Sequence, residues 1–163
     1  MTTTSIHYYE DNNMHLDYVE TEEFLENYKE YSSWISKALK HGSGANSALE
    51  LSKEIINGSH QLWIARGTDC PILNITVTTV IMWEGIKTLH LVTATGENWE
   101  GYKDAHHTLE EFGKLAGCER VTFWGRPGWD RVIKKLKGMN GQQYEKQYVV
   151  YNMQLGEINA TRT

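Results

Sequence analysis

Thr76, Val77, Thr78, Thr79 and Val80 form an unbroken run of β-branched residues, and this run restricts the fold more than any other feature. Branching at Cβ costs rotamer freedom against the preceding turn of a helix but packs well on a pleated surface. The run therefore predicts a long strand from Ile72 to Met82. Trp83, Glu84 and Gly85 supply a turn, and Ile86–Ala94 returns as the partner strand. Such a short connection permits only an antiparallel pair. Upstream, Gln61–Arg66 reads as another strand, joined through Gly67, Thr68, Asp69 and Pro71. The middle of the chain is thus a three-stranded meander.

Helical periods flank it. Met14–Val19 reads as a short first strand. Thr21 then opens a helix in which Phe24, Tyr28, Tyr31, Ile35 and Ala38 recur at steps of four and three, continuing to Leu39. Residues 41–46 break the pattern, after which Ser47 and Glu50 form a capping box ahead of Leu51, Ile55 and Ile56. Gly58 closes that second helix. A third is expected over Tyr102–Ala116, its inner side carrying Ala105, Leu109, Phe112 and Ala116, with Gly117 as the left-handed terminator. Cys118–Trp124 is the next strand, Gly125–Gly128 a tight turn, and Pro127 the start of a fourth helix bearing Trp129, Val132, Ile133 and Leu136. Alternation over Tyr144–Leu155 predicts a last strand.

The order β, α, α, β, β, β, α, β, α, β implies an α/β fold of α+β-like, mixed-sheet type, with a central, largely antiparallel sheet flanked by about four helices. One domain spans residues 14–155, between an N-terminal arm (1–13) and a C-terminal tail (156–163). No GxGxxG follows a strand and no GxxxxGK[ST] is present, so neither a dinucleotide fold nor a phosphate-binding loop is indicated.

Charge and cysteine usage exclude further classes. The 163 residues carry 21 acidic and 16 basic side chains, a formal charge of −5, which opposes non-specific nucleic-acid binding. Lys134, Lys135 and Lys137 are explained by the dipole at a helix C-terminus. Apolar runs such as Val80–Trp83 are too short for a membrane span. The N-terminus lacks a basic segment followed by an apolar one, which predicts an intracellular protein. Cys70 and Cys118 are far apart and suggest neither a disulfide nor a zinc site. His106 with Glu110, and His107 with Glu111, stand at i,i+4 and read as pairs on a helix surface; no metal is expected. The 6 Trp and 9 Tyr against 3 Phe favour pocket rims or interfaces, and His7, Tyr8 and Tyr9 would suit an arm packed on another subunit.

The succession of elements over residues 14–155, with a fourth strand entering a glycine-containing loop and then a helix, resembles the GNAT superfamily of acyl-CoA-dependent N-acyltransferases. More locally, Gly117, Cys118, the following strand, then Gly125, Arg126, Pro127, Gly128 and Trp129 and a C-terminal aromatic strand look like the small GNAT-like proteins of tailed bacteriophages and prophages. The resemblance implies an enzyme that transfers an acetyl group from acetyl-CoA to an unidentified amine. The cofactor's pyrophosphate would lie against backbone N–H groups after the fourth strand. That segment here contains Thr93, Ala94, Thr95, Gly96, Asn98 and Gly101, with Arg126 and Trp129 at the cleft edge. It departs from the superfamily's Arg/Gln-x-x-Gly-x-Gly/Ala pattern in carrying Glu97, Trp99 and Glu100, and Lys87 or Lys103 would be the compensating cation. Glu84 and His90 are the candidate bases, and Tyr148 and Tyr151 the candidate proton donors. The phage resemblance implies an alternative: a non-catalytic virion or internal core protein acting in assembly or genome ejection, partnered by phage structural proteins or by copies of itself. The location implied is the host cytoplasm, or the virion in the second case.

Overall fold

The computed structural model describes residues 15–40, 47–66, 72–96, 99–125, 127–147 and 153–156. Their elements are β1 (Asp17–Tyr18), α1 (Thr21–Glu26), α2 (Tyr28–Leu39), α3 (Ala48–Ile56), β2 (His60–Arg66), β3 (Ile72–Trp83), β4 (Ile86–Gly96), α4 (Trp99–Leu115), β5 (Arg120–Phe123), a 3₁₀ turn (Pro127–Trp129) and α5 (Asp130–Ile133). The five strands lie in sequence order in one sheet. All pairs are antiparallel except β4–β5, which is parallel.

The β-branched run is in β3, as expected, and the β3–β4 hairpin turns on Glu84 and Gly85, both at positive φ (53° and 76°). Two such residues make the type of turn whose twist matches flanking strands. Ser47 accepts from the Glu50 N–H while Glu50 reaches back to the Ser47 N–H, so the α3 capping box is present on both sides. Gly117 ends α4 at φ 83°.

Side chains alternate across the sheet into two cores. Leu62, Ile64, Ile75 and Val77 meet Phe24, Tyr31, Ile35, Leu51 and Ile55 of α1–α3 on one face. Trp63, Ala65, Leu89 and Leu91 meet Tyr102, Ala105 and Leu109 of α4, with Leu136, on the other. Each buried large apolar side chain contributes about 1.5–3 kcal/mol, and the sheet is covered on both faces. No helix among the described residues is long and apolar enough to cross a membrane.

Four expectations are corrected. The first helix is two: the Asn27 side-chain amide donates to the Glu23 carbonyl at 3.0 Å and its backbone leaves helical geometry (φ −115°, ψ 28°), breaking the helix between α1 and α2. The third helix begins at Trp99, three residues before Tyr102. The fourth is a 3₁₀ turn plus four residues, and Leu136 is buried beyond its end rather than on it. Finally, 144–147 and 153–156 form no strand, and Met153 and Leu155, read as one face of that strand, are 79% and 88% exposed. Alternation specifies a face but no partner, and the described stretches find none; residues 148–152 lie outside the described residues.

Candidate active site

The strands β4 and β5 run together for four register pairs, from Thr88–Arg120 to Leu91–Phe123. Here they part. Opposite β3, Thr78 pairs with Leu91 but Val77 with Thr93, leaving Val92 as a bulge. A bulge shifts the two-residue side-chain period by one. Leu89 and Leu91 face α4 before it, and Ala94 faces α4 after it, so Thr93, opposite Val77, is turned to the α1–α3 side. Between the diverging strands is a crevice of about 10 Å³ lined by Leu91, Ala94, Tyr102, Phe123, Trp129 and Tyr144, among others. Trp129 meets Phe123 edge to face at 4.8 Å. Gly125 permits this contact, because a Cβ there would press on both rings. The crevice is apolar, since the Tyr102 and Tyr144 hydroxyls are engaged by Thr76 and His106 outside it.

At the far end of β4, Gly96 packs directly on β3: a Cβ would overlap the Leu73 carbonyl oxygen and lie 2.8 Å from Asn74 Nδ2. Asn74 is fully buried, and its Nδ2 has no hydrogen-bond partner among the described residues. An orphaned buried amide N–H₂ is costly, and it stands beside the strand end from which α4 starts. This donor, the missing Cβ at Gly96 and the N-terminus of a 17-residue helix suit an anionic or amide-bearing group such as acetyl-CoA presents. Asn98 and Arg126 lie outside the described residues, and Gly101 is in the first turn of α4. Lys87 pairs with Met82 at the opposite end of β4 and its Nζ lies near Gly117, so it does not serve this segment.

His90 is on the α1–α3 face of β4, one pair before the strands separate. Its Nδ1 is 2.9 Å from Thr122 Oγ1, and its ring meets Trp124 at 5.0 Å. Burial, reinforced by His60, lowers its pKa, so the imidazole is neutral. Nε2 has no partner among the described residues. Trp124 is 54% exposed and stacks edge-on with Trp83 at 5.5 Å, so an open aromatic wall stands beside that nitrogen. Glu84 accepts from Trp83 Nε1 at the hairpin, at the outer edge of this aromatic wall, while Ala94 is eight residues along β4 from Ile86, about 26 Å at strand rise. Tyr148 and Tyr151 lie outside the described residues.

Tyr144 was not among the expected site residues. It lines the crevice and also a second, polar cavity of about 290 Å³. Its hydroxyl is 2.6 Å from Nε2 of His106, whose Nδ1 is 3.4 Å from Glu110 Oε2. His106 is 3% exposed, which corrects its reading as a surface residue. Burial lowers its pKa, with Glu110 opposing, while burial raises that of Tyr144, helped by Tyr102 and Glu110. Glu110 also accepts the Met139 N–H at 3.1 Å. The signal available in the sequence was position: His106 follows Ala105 and precedes Leu109 on the inner stripe of α4. His107 forms a contact with Glu110, at 3.9 Å, in place of the expected Glu111. No group of three or more potential metal ligands occurs among the described residues.

No family model matches the chain, and no curated protein matches its sequence. Solved structures do match. A probable acetyltransferase superposes with a TM-score of 0.63 at 9% identity, over 89% of this chain and all of that one. The fold is that of the GNAT acetyltransferases. An aminoglycoside acetyltransferase from an uncultured soil metagenomic sample is similar over 90% of this chain and 99% of its own, at 15% identity and a TM-score of 0.56. Glucosamine-6-phosphate N-acetyltransferase from Arabidopsis thaliana is similar over 85% and 98%, at 13% identity and a TM-score of 0.52. At these identities the likeness is one of GNAT architecture.

Proposed function

We propose that this GNAT-fold protein transfers an acetyl group from acetyl-CoA to an amine. The observation that carries the reading is the parting of β4 from β5 beside the Val92 bulge, with an apolar crevice between them lined by Leu91 and Ala94 of β4 and Tyr102 of α4. Bound there, acetyl-CoA would supply an activated thioester. Ala94, Thr95 and Gly96 would form one wall, Trp129 the other. Asn74 Nδ2 and the backbone of α4's first turn, including Gly101, would donate to the cofactor; Asn98 and Arg126 remain candidates from the sequence alone.

His90 is the base in this reading. A neutral imidazole held at Nδ1 by Thr122 leaves Nε2 to take a proton from the incoming ammonium, and the rings of Trp83 and Trp124 suit a cationic approach. The alternative, a phage virion or core protein, is not favoured by any described residue; the arm on which it leans, with His7, Tyr8 and Tyr9, lies outside them.

Titration calorimetry with acetyl-CoA, with CoA and a charge-matched nucleotide as controls, tests the reading. One-to-one binding that prefers acetyl-CoA, followed by thiol release on addition of an amine panel, is expected. Absence of binding at millimolar acetyl-CoA overturns it.

A further inference from the structure

Among the described residues only β4 lies beside β5, which makes β5 an edge strand. Its main-chain phase follows from the hairpin. Trp83 and Ile86 close a two-residue turn and exchange hydrogen bonds, so Ile86, Thr88 and His90 direct their N–H and C=O groups to β3. Lys87, Leu89 and Leu91 then face β5, in keeping with the Glu119 N–H that donates to the Lys87 carbonyl at 2.9 Å. In a parallel pair a residue bonds to the two that flank its partner. Leu89 is opposite Val121 and therefore engages Arg120 and Thr122. Val121 and Phe123 turn their main-chain groups outward, where no described residue bonds to them.

This outer edge opens into the polar cavity of about 290 Å³. Arg120 and Val121 both line it, although Val121 packs in the core under α4 and the Arg120 side chain is bound on the opposite face, to Thr88 Oγ1 at 3.1 Å and the Trp83 carbonyl at 2.7 Å. Neighbours on opposite faces of a strand share only its edge. The far wall does not supply the missing partner: the Gly138 N–H donates to the Gln142 carbonyl at 2.8 Å, Lys137 bridges to Gln143, and the Met139 N–H goes to Glu110. That wall presents the side chains of Gln142 and Gln143 instead, whose carboxamides both donate and accept. With α4 on one side and this segment on the other, the space takes a single chain and not the edge of a second sheet.

We propose that the cavity is a peptide-recognition site in which an extended segment of another protein, about three or four residues at strand rise, adds to the outer edge of β5. Its N–H and C=O groups pair with those of Val121 and Phe123, as peptides captured on sheet edges do. Side chains of the added strand alternate, and those directed to α4 meet Glu110, which is 11% exposed, with Oε1 accepting the Met139 N–H and Oε2 against His106. A second carboxylate in so poorly hydrated a place is repelled, so the peptide carries a basic or uncharged residue there. Leu136 and Tyr144 line both this cavity and the crevice, which makes the two sites neighbours, but peptide capture requires no acetyl transfer.

Amide hydrogen exchange, read by NMR on the full chain, tests the site. In the protein alone, the Val121 and Phe123 amides should exchange at least about tenfold faster than those of Arg120 and Thr122. A saturating end-blocked Val-Lys-Val-Lys peptide should slow Val121 by about tenfold or more, the worth of one strong hydrogen bond. The same peptide N-methylated at every residue should have no effect, and calorimetry should find Val-Glu-Val-Glu weaker by about tenfold. A Val121 amide already protected in the protein alone means that the chain itself or a second copy covers the edge, and overturns the proposal. So does a Val121 amide that the lysine peptide leaves unchanged, or equal binding of the N-methylated or the glutamate peptide. None of these readouts involves acetyl-CoA, so their failure leaves the acetyl-transfer reading standing, and the failure of that reading leaves the peptide site standing.

Discussion

Thr122 Oγ1 and His90 Nδ1 lie 2.9 Å apart across the parallel β4–β5 pair, one register step before the strands separate. The contact fixes which imidazole nitrogen faces the open side. His90→Gln should lower kcat of acetyl transfer by about 100-fold, the usual range for losing a positioned base. Thr122→Val keeps the imidazole but frees its rotation, and a loss of about tenfold is expected, one hydrogen bond's worth. Steady-state kinetics decide between this and a passive histidine, for which both variants would leave kcat in place.

Stability should rise with pH across the histidine range. His60, His90 and His106 are all held below the ordinary 6.5, chiefly by burial. Their unfolded forms therefore bind more protons than the folded ones as pH falls through 6.5, and protonation favours unfolding. The three contribute no penalty well above 6.5. Thermal melts between pH 7.5 and 5.5 should show Tm falling on acidification, and His90→Gln should flatten the slope. A Tm that is constant or climbs as pH drops would contradict the burial argument.

Signals that act within a few residues were readable along the chain. Ser47 and Glu50 satisfy each other's backbone, Gly117 takes the positive φ that ends α4, and the β-branched run needs no partner to prefer a strand. Features decided by what lies across the sheet were not readable. The bulge at Val92 depends on how β4 registers with β3, and it alone selects Ala94 over Thr93 for the crevice. The depth of His106 depends on Tyr144, 38 residues away. The period through Asn27 continues unbroken in sequence, since a side-chain amide that folds back on Glu23 leaves no trace in hydrophobic spacing. The C-terminal alternation was legible as a pattern, yet Met153 and Leu155 are exposed because a pattern does not supply an adjacent strand.

Gly96 should tolerate no side chain. Its φ of 151° and its close approach to Leu73 and Asn74 mean that alanine forces the strands β3 and β4 apart at their end. Gly96→Ala should cost about 2 kcal/mol or more, as overpacking a closed site does, read from denaturant unfolding. Asn74→Leu tests the neighbouring donor. It removes the orphaned Nδ2 along with Oδ1, to which Thr76 Oγ1 donates at 3.3 Å. Stability should change by less than about 1 kcal/mol if the two effects offset, while acetyl-CoA affinity falls. Preserved affinity would remove Asn74 from the cofactor site.

Ala94 offers the cleanest separation of fold from function. Its Cβ enters a crevice of about 10 Å³, bounded by Leu91, Tyr102, Phe123 and Trp129, roughly the space of a single water. Leucine at this position adds three carbon atoms where an acyl group would have to lie. Repacking against Phe123 and Trp129 should cost about 1–3 kcal/mol, within what a domain of this size survives. Ala94→Leu is therefore expected to fold, with a lowered Tm and an unaltered far-ultraviolet spectrum, and to lose acetyl-CoA binding in calorimetry. Thr93→Val is the matched control, because the bulge turns that side chain to the α1–α3 face, and it should bind as the wild type does. If Ala94→Leu binds acetyl-CoA normally, the thioester does not enter between β4 and β5, and the crevice is only a seam of the core.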